Sequence, residues 1–586
     1  MTDDTAAIRQ AILDNDATTA VDRAAAQTIY LPRGTYLISD SIIADSSSVR
    51  VTGAGRDHTF IKLQDNAVGF TDSAQPKVVL QSGNFDRTSN LANSGFCNYY
   101  QNFTLDTGAG NPGAIGIRYD VANSGAMQHV TIKTSDPAGA GKYGLYFTTS
   151  PGPAFVQDVV IEGFEHGIYL DDKLTNDLAF EGITLRDQTV AGITNTVKNI
   201  VVENLVTENV PVAIRTTEAA ATVMIINSDL NGIGLGPAID IDEPGFVYAR
   251  DVTSSGFTNI VSVGQSDSFV GATSLREWSN YDYRVGDTTT AWTEDNEYVG
   301  LNLPVEKAPE FYNGDLATWA NVASFVEPDD AGDFGKAFQR AIDSGAETVY
   351  FPYGRYSIQS PVVVRGEVRK IDFFFSRLER GPNPVAISVG DLTGDSVVME
   401  NIATDVSFEQ SGPDTVTIRN LNPAGGSIRT TPEATGDLFI ENAGAHVQVL
   451  LDSPTNVWGR SIDRANVDWV NNGGTLWCAT CNIETRWSPS LFTDGSRTEI
   501  IGGAIDNLGE PHDVAMGPLI DVEDSYVSVL LPGTLRDNGA WEYLLRDSHA
   551  DGMTNLYATD LSTVYTTPGG DERILLPMYV TPGYPR

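Results

Sequence analysis

The sequence predicts an all-β protein: two tandem right-handed parallel β-helices joined by an ordered linker, with boundaries at 1–275, 276–322 and 323–586. Three observations carry this expectation. The opening of the chain is written twice. Apolar landmarks recur every 21 to 28 residues. The 586 residues include 56 glycines and only 19% charged residues, which suits many short strands and turns better than helices.

The repeat is read directly. Ala7-Ile-Arg-Gln-Ala-Ile12 matches Ala337-Phe-Gln-Arg-Ala-Ile342, and Tyr30-Leu-Pro-Arg-Gly-Thr-Tyr36 matches Tyr350-Phe-Pro-Tyr-Gly-Arg-Tyr356. The offsets are 330 and 320 residues, so an insertion around Asp16 to Ala25 accounts for the difference. Two copies of one beginning mean two modules of similar build. Each copy opens with a short amphipathic helix. Ile8, Ala11 and Ile12 keep the helical period in the first, after capping candidates Asp3, Asp4 and Thr5. Phe334, Ala337, Phe338, Ala341 and Ile342 keep it in the second. A helix placed there would cover the open end of a strand stack.

After each helix the pattern turns to short β-runs. Ile117, Leu145, Ile168, Ile193, Ile214 and Ile239 mark them, at spacings of 28, 23, 25, 21 and 25. A rung of ~20–30 residues fits a parallel β-helix; a propeller blade needs ~40 or more. The rhythm stops between about 271 and 322. The segment is acidic and aromatic, and Trp278, Trp292 and Tyr298 are costly to leave in water, so an ordered connection is expected. The second array then runs from about Phe351 to the end.

Charge narrows the function. The 77 acids against 37 bases give a formal net charge of −40. Nucleic acid, anionic membranes and polyuronates would be repelled, whereas a neutral polymer would not. No apolar run is long enough to span a membrane. The chain starts at MTDDTAAI with no basic-then-apolar leader, which fits a cytoplasmic protein or one whose signal peptide is absent from this sequence; the expectation is a secreted protein. The three cysteines, Cys97, Cys478 and Cys481, form no disulfide framework, and the six histidines lack metal-ligand spacing, so no metal or cofactor is expected.

The chemistry points to Thr475 to Gly503, where Glu484 and Glu499 sit in apolar, strand-like sequence. Glycoside cleavage needs a proton donor and a second group that attacks or activates water. The two glutamates are 15 residues apart, about one short coil, so rung stacking would bring them near each other. Five of the eight tryptophans, Trp458, Trp469, Trp477, Trp487 and Trp541, lie in the second module. Trp458, Trp477 and Trp487 are candidates for sugar binding, with inter-rung stacking an equal alternative for each. In the first module, Gln188 sits next to a rung corner and Thr207 lies in VTENVPVAI. They are corner residues, part of an asparagine-type ladder, or groups that hold a water.

The motifs GNPGAIGIRYDVANSGAMQHVTI, LRDQTVAGITN, TENVPVAI, LNLPVEKAPE and GGTLWCATCNIE followed by RTEIIGG resemble glycoside hydrolase family 55. The opening DDTAAIRQAI with IYLPRGTYLIS is shared more widely among pectate-lyase-like β-helices. The resemblance implies tandem β-helices with the active site between them, a metal-free exo-β-1,3-glucanase acting on laminarin-like glucan, and inversion. It implies a monomer with a neutral polysaccharide as its partner. Glu499 or Glu484 would be the proton donor, with Glu499 preferred, the other would join the water and proton network, and Gln188 with Thr207 would position the water. The chain departs from the family at Cys481-Asn482-Ile483, where a Lys-Thr pair is expected before Glu484. Two other classes compete on this architecture, a polysaccharide lyase and a non-catalytic glycan-binding β-helix. The lyase needs cationic groups, and only 9 of the 37 bases are lysine.

Overall fold

The computed structural model describes residues 2–585 apart from 15–27, 45–47, 84–94, 123–124, 149–151, 172–176, 197, 219–220, 235, 243, 265, 296, 384, 424–425, 445–446, 466–468, 485–488, 507–516, 536–542, 551, 558–559, 561 and 567–571. The expected insertion around Asp16 to Ala25, and Trp487 and Trp541, lie outside the described residues. The chain is a parallel β-solenoid in two compact units. Unit 1 comprises Met1–Asp282, Ala291–Val299 and Val564–Thr566. Unit 2 comprises Tyr283–Thr290, Gly300–Thr563 and Thr567–Arg586.

In a parallel solenoid each turn of chain adds one strand to each sheet, so residues one rung apart sit side by side. The landmarks of unit 1 do this. Ile117 pairs with Leu145, then Leu145 with Ile168, Ile168 with Ile193, Ile193 with Ile214, Ile214 with Ile239, and Ile239 with Val261. All seven are fully buried inside the coil. Burying each such side chain contributes roughly 1.5–3 kcal/mol, which makes this column a main source of stability. The uneven spacing in sequence is absorbed in the turns, not in the ladder.

The other sheet of unit 1 is bent at each rung by a residue in the left-handed region. Asn102, His129, Asp158 and Asn204 take φ of 62°, 55°, 51° and 55°. Asn, Asp and His accept that conformation more readily than other side chains. The position just before the corner builds a buried amide ladder. Gln101 Nε2 donates to Gln128 Oε1 at 2.9 Å, Gln128 Nε2 to Gln157 Oε1 at 2.8 Å, and Gln157 Nε2 to Glu181 Oε2 at 2.7 Å.

Unit 2 repeats the corner with Asn401, Asn420, Asn442, Ser461 and Thr480, at φ of 59°, 54°, 54°, 51° and 58°. Asn420 Nδ2 donates to Asn401 Oδ1 at 3.0 Å, and Asn442 Nδ2 to Asn420 Oδ1 at 2.8 Å. The position before the corner is charged here. Glu400, Arg419, Glu441 and Arg460 occupy one register on successive strands, alternating in sign. Arg419 Nε meets Glu441 at 2.7 Å, and Arg460 lies 3.9 Å from the same carboxylate.

Both units begin with the expected helix, Thr5–Asp14 and Phe334–Ile342. Ile8 and Ile12 are buried in the first, and Ala337, Phe338, Ala341 and Ile342 in the second. Asp3 Oδ1 accepts from Thr5 N at 3.0 Å, and Asp333 Oδ1 from Gly335 N at 3.0 Å. At the far end each unit closes its stack with antiparallel pairs. Ser274–Ser279 lies along Phe246–Ser255 in unit 1, and Glu572–Val580 along Tyr526–Leu535 in unit 2. Reversing direction at the last rung covers an edge that would otherwise pair with another chain.

The segment expected to connect the modules is ordered in two parts. Trp278 packs in the core of unit 1, Trp292 lies edge-on to Tyr248, and the Tyr298 hydroxyl donates to Asp251 at 2.5 Å. Residues 300–311 belong to unit 2 and run across its rungs. The Leu301 N–H donates to Ser528 Oγ at 3.2 Å, Trp458 Nε1 to the Pro304 carbonyl at 2.8 Å, and Arg460 Nη2 to the Glu306 carbonyl at 2.6 Å. Arg419 reaches Glu310 at 2.7 Å, and Arg369 lies over the Phe311 ring at 4.4 Å. Cys478 and Cys481 are buried in the core of unit 2 and joined as a disulfide. The left-handed residue Thr480 between them resets the strand alternation, so both point inward.

Candidate active site

The strand Thr475–Glu484 organises the candidate site. The Thr480 corner divides it into two legs. On the first leg Trp477 pairs with Trp458 on one side and with Glu499 on the other. On the second leg Glu484 pairs with Ala465 and with Asp506.

This register keeps the ~20–30-residue rung read from the landmarks and corrects the reading of the two glutamates as neighbours one coil apart. The turn from Trp477 to Glu499, and from Glu484 to Asp506, takes 22 residues rather than 15. Glu484 and Glu499 therefore stand on different legs and are not rung neighbours. Glu484 is placed by its backbone; its side chain lies outside the described residues, as does Trp487.

Glu499 is fully buried. Its Oε1 accepts from the Asn302 N–H at 3.1 Å and from Ser528 Oγ at 2.9 Å, and its Oε2 from the Leu303 N–H at 3.2 Å. Charge-assisted bonds of this kind are about twice as strong as neutral ones. Glu499 thus anchors the crossing segment to the sheet. In this conformation the carboxylate is covered by residues 302 and 303 and by Ser528.

Trp458 and Trp477 both make contacts between rungs. Trp458 stacks on Phe439 with centroids 4.8 Å apart and planes 12° from parallel. Trp477 is 1% exposed and lies under the Arg460 guanidinium at 5.1 Å. Gln188 follows the left-handed Asp187 (φ 59°), and Thr207 lies within the strand Val206–Val210, in register with Leu185 and Leu230. Gln188 is buried, and its Nε2 donates to the carbonyls of Ile161, Gly163 and Arg186 at 3.1, 3.0 and 2.8 Å. Thr207 Oγ1 accepts from Asn231 N at 2.9 Å and donates to Asn231 O at 3.2 Å. No group of three or more His, Cys, Asp and Glu side chains with metal-site geometry occurs among the described residues.

Asp506 is the carboxylate that sequence reasoning missed. Its signal was present: Asn482-Ile-Glu484 is echoed by Ala504-Ile-Asp506 one rung later. In-register neighbours on adjacent strands have backbones ~4.8 Å apart. Glu484 and Asp506 are thus two acids at one position of the coil. Further along the same sheet, burial pushes the Asp372 carboxyl up to about 7, with Glu400 adding to the effect and Lys370 opposing it.

The register and burial define a parallel β-solenoid with paired acids on neighbouring rungs of unit 2. Residues 1–236 match the family model described as rhamnogalacturonase A/epimerase, pectate lyase-like. No curated protein matches the chain. Among solved structures the chain is similar to sacteLam55A from Streptomyces sp. SirexAA-E, at 11% identity, covering 98% of this chain and 97% of that one, with a TM-score of 0.35. It is also similar to PfbA, a surface adhesin of Streptococcus pneumoniae, at 10% identity over 98% and 96% with a TM-score of 0.22. The pre-mature bacteriophage phi29 gene product 12 is similar at 11% identity over 90% and 66%, with a TM-score of 0.28.

Proposed function

We propose that this chain is a secreted, monomeric glycoside hydrolase that cleaves a neutral β-1,3-glucan, releasing glucose from chain ends with inversion. The observation that carries the reading is the Glu484–Asp506 register pair. Hydrolysis of a glycosidic bond needs a carboxylic acid that still holds its proton at the working pH, and two acids at one register position of a coil favour that state in one of the two. One of these two acids gives its proton to the leaving oxygen, and a water attacks from the opposite face of the sugar, losing its proton to a base on that face; inversion sets acid and base ~6.5–9.5 Å apart, so that base stands beyond the register pair. Glu499 acts as a positioning residue through the crossing segment, Gln188 through the carbonyls of Ile161, Gly163 and Arg186, and Thr207 through the backbone of Asn231.

Three further points support the reading. The family model over residues 1–236 describes carbohydrate-active proteins. The motifs of the second module resemble glycoside hydrolase family 55. The net charge of −40 disfavours a polyuronate and leaves a neutral polymer as the natural partner. The test is a time course of products from laminarin, resolved by chromatography. Glucose as the sole early product is the expected result. A ladder of oligosaccharides would make the enzyme endo-acting. Unsaturated product from a polyuronate, with none from laminarin, would replace the hydrolase with a lyase.

A further inference from the structure

Unit 2 holds a cavity of about 390 Å³ on the first leg of its strands, on the other side of the Thr480 corner from the Glu484–Asp506 pair. One wall is the crossing segment, from Pro304 to Pro309. The other is formed by strand starts, with Phe439, Trp458 and Trp477 as its apolar part and Thr415, Asp437, Asn456 and Thr475 as its polar part. The volume falls in the ~300–1,000 Å³ range of small-molecule sites.

Its chemistry selects a ligand class. Asn456 Nδ2 donates to Asp437 Oδ1 at 3.1 Å, which orients both groups and leaves further acceptor positions on the carboxylate and amide. Two threonine hydroxyls add donors and acceptors. Aromatic carbon beside such groups suits a ring with C–H faces and hydroxyl edges. Asp437 and Glu306 outnumber the one cation, Lys307, so an anionic ligand would be repelled. The aromatic wall is rigid because Trp458 is held on one face by Phe439 and at its edge by the Pro304 carbonyl. A preformed site keeps the ordering cost of binding low.

We propose that this cavity binds one or two units of a neutral saccharide, separately from the place of bond cleavage. The geometry of the cavity carries the site; the choice of a β-1,3-linked probe rests on the hydrolase reading. The experiment is calorimetric titration of the full chain carrying Glu484→Gln with laminaritriose, cellotriose and trigalacturonate. Asp437→Ala, Asn456→Ala and the space-filling Thr475→Arg are added singly, each checked for an unchanged melting temperature. A neutral trisaccharide is expected to bind. Removing one hydrogen-bonding group at Asp437 or Asn456 should weaken it about tenfold, and Thr475→Arg should abolish it.

Binding that all three variants leave untouched would overturn the proposal, as would binding of trigalacturonate alone or of no trisaccharide. Should Thr475→Arg lower the melting temperature, Asp437→Ala and Asn456→Ala decide. Saccharide binding lost in these variants, in a protein that hydrolyses no glucan, would keep the site and remove the hydrolase reading.

Discussion

The two units solve the same backbone problem and fill it differently. Each starts with a covering helix, bends one sheet with left-handed residues and closes with antiparallel strands. In unit 1 the position before the corner carries Gln101, Gln128 and Gln157, whose amides hand one hydrogen bond to the next rung. In unit 2 the same position carries Glu400, Arg419, Glu441 and Arg460. An amide is donor and acceptor at once, so its ladder needs nothing else. Charged groups must alternate in sign and need outside partners. The segment 300–311 supplies them, with Glu310 on Arg419 and the Glu306 carbonyl on Arg460. The difference teaches that the backbone plan of a solenoid does not dictate the chemistry of its ladders, and that a charged ladder ties a crossing segment to the coil.

The largest expected effect removes the chemistry and leaves a plain coil. Glu484→Gln and Asp506→Asn should each lower laminarin hydrolysis by about 10²–10⁴-fold, the usual range for losing a general acid, with an unchanged melting temperature. Equal loss in both variants would show that the acids work as a pair.

The charged ladder should be the more fragile of the two when one member is lost. Glu441 is fully buried between Arg419 and Arg460, so Glu441→Ala should cost about 3–5 kcal/mol by urea unfolding, the range for breaking a buried ion pair. Gln128→Leu takes a partner from both Gln101 and Gln157 and should cost about 1–3 kcal/mol. Similar costs at both sites would break the comparison between the ladders.

The smallest effect concerns pH. The carboxyl of Asp372 is raised from the ordinary Asp value to about 7. The folded chain therefore binds this proton more tightly than the unfolded chain. The penalty for ionising Asp372 is absent at the acid end, grows as pH rises through that window, and is complete above it. Asp372→Asn should flatten the fall in melting temperature between about pH 4.5 and 7.5 relative to the parent, since it removes one proton uptake from the linkage. Parallel melting curves for the two proteins would show that Asp372 is ionised throughout.

The fold was legible because its signals are local or periodic. The Ile117 to Ile239 column could be read by counting, since each member must face inward once per rung. The duplicated opening gave both covering helices. The site was less legible because it depends on register. Reading Glu484 and Glu499 as rung neighbours assumed a 15-residue turn, and the 22-residue turn places Trp477, not Glu484, beside Glu499. Nothing in Thr498-Glu499-Ile500 tells that residues 302 and 303, far away in sequence, donate to that carboxylate. The same holds for Trp458, whose partners are a neighbouring rung and the Pro304 carbonyl.

The most direct test compares the two glutamates of the organising stretch. Laminarin hydrolysis and melting temperature would be measured side by side for the parent chain, Glu484→Gln and Glu499→Gln. The account expects Glu484→Gln to be inactive and as stable as the parent, and Glu499→Gln to keep part of its hydrolysis while melting earlier, because it loosens the crossing segment. An inactive Glu499→Gln of parental stability, beside an active Glu484→Gln, would contradict it and make Glu499 the acid.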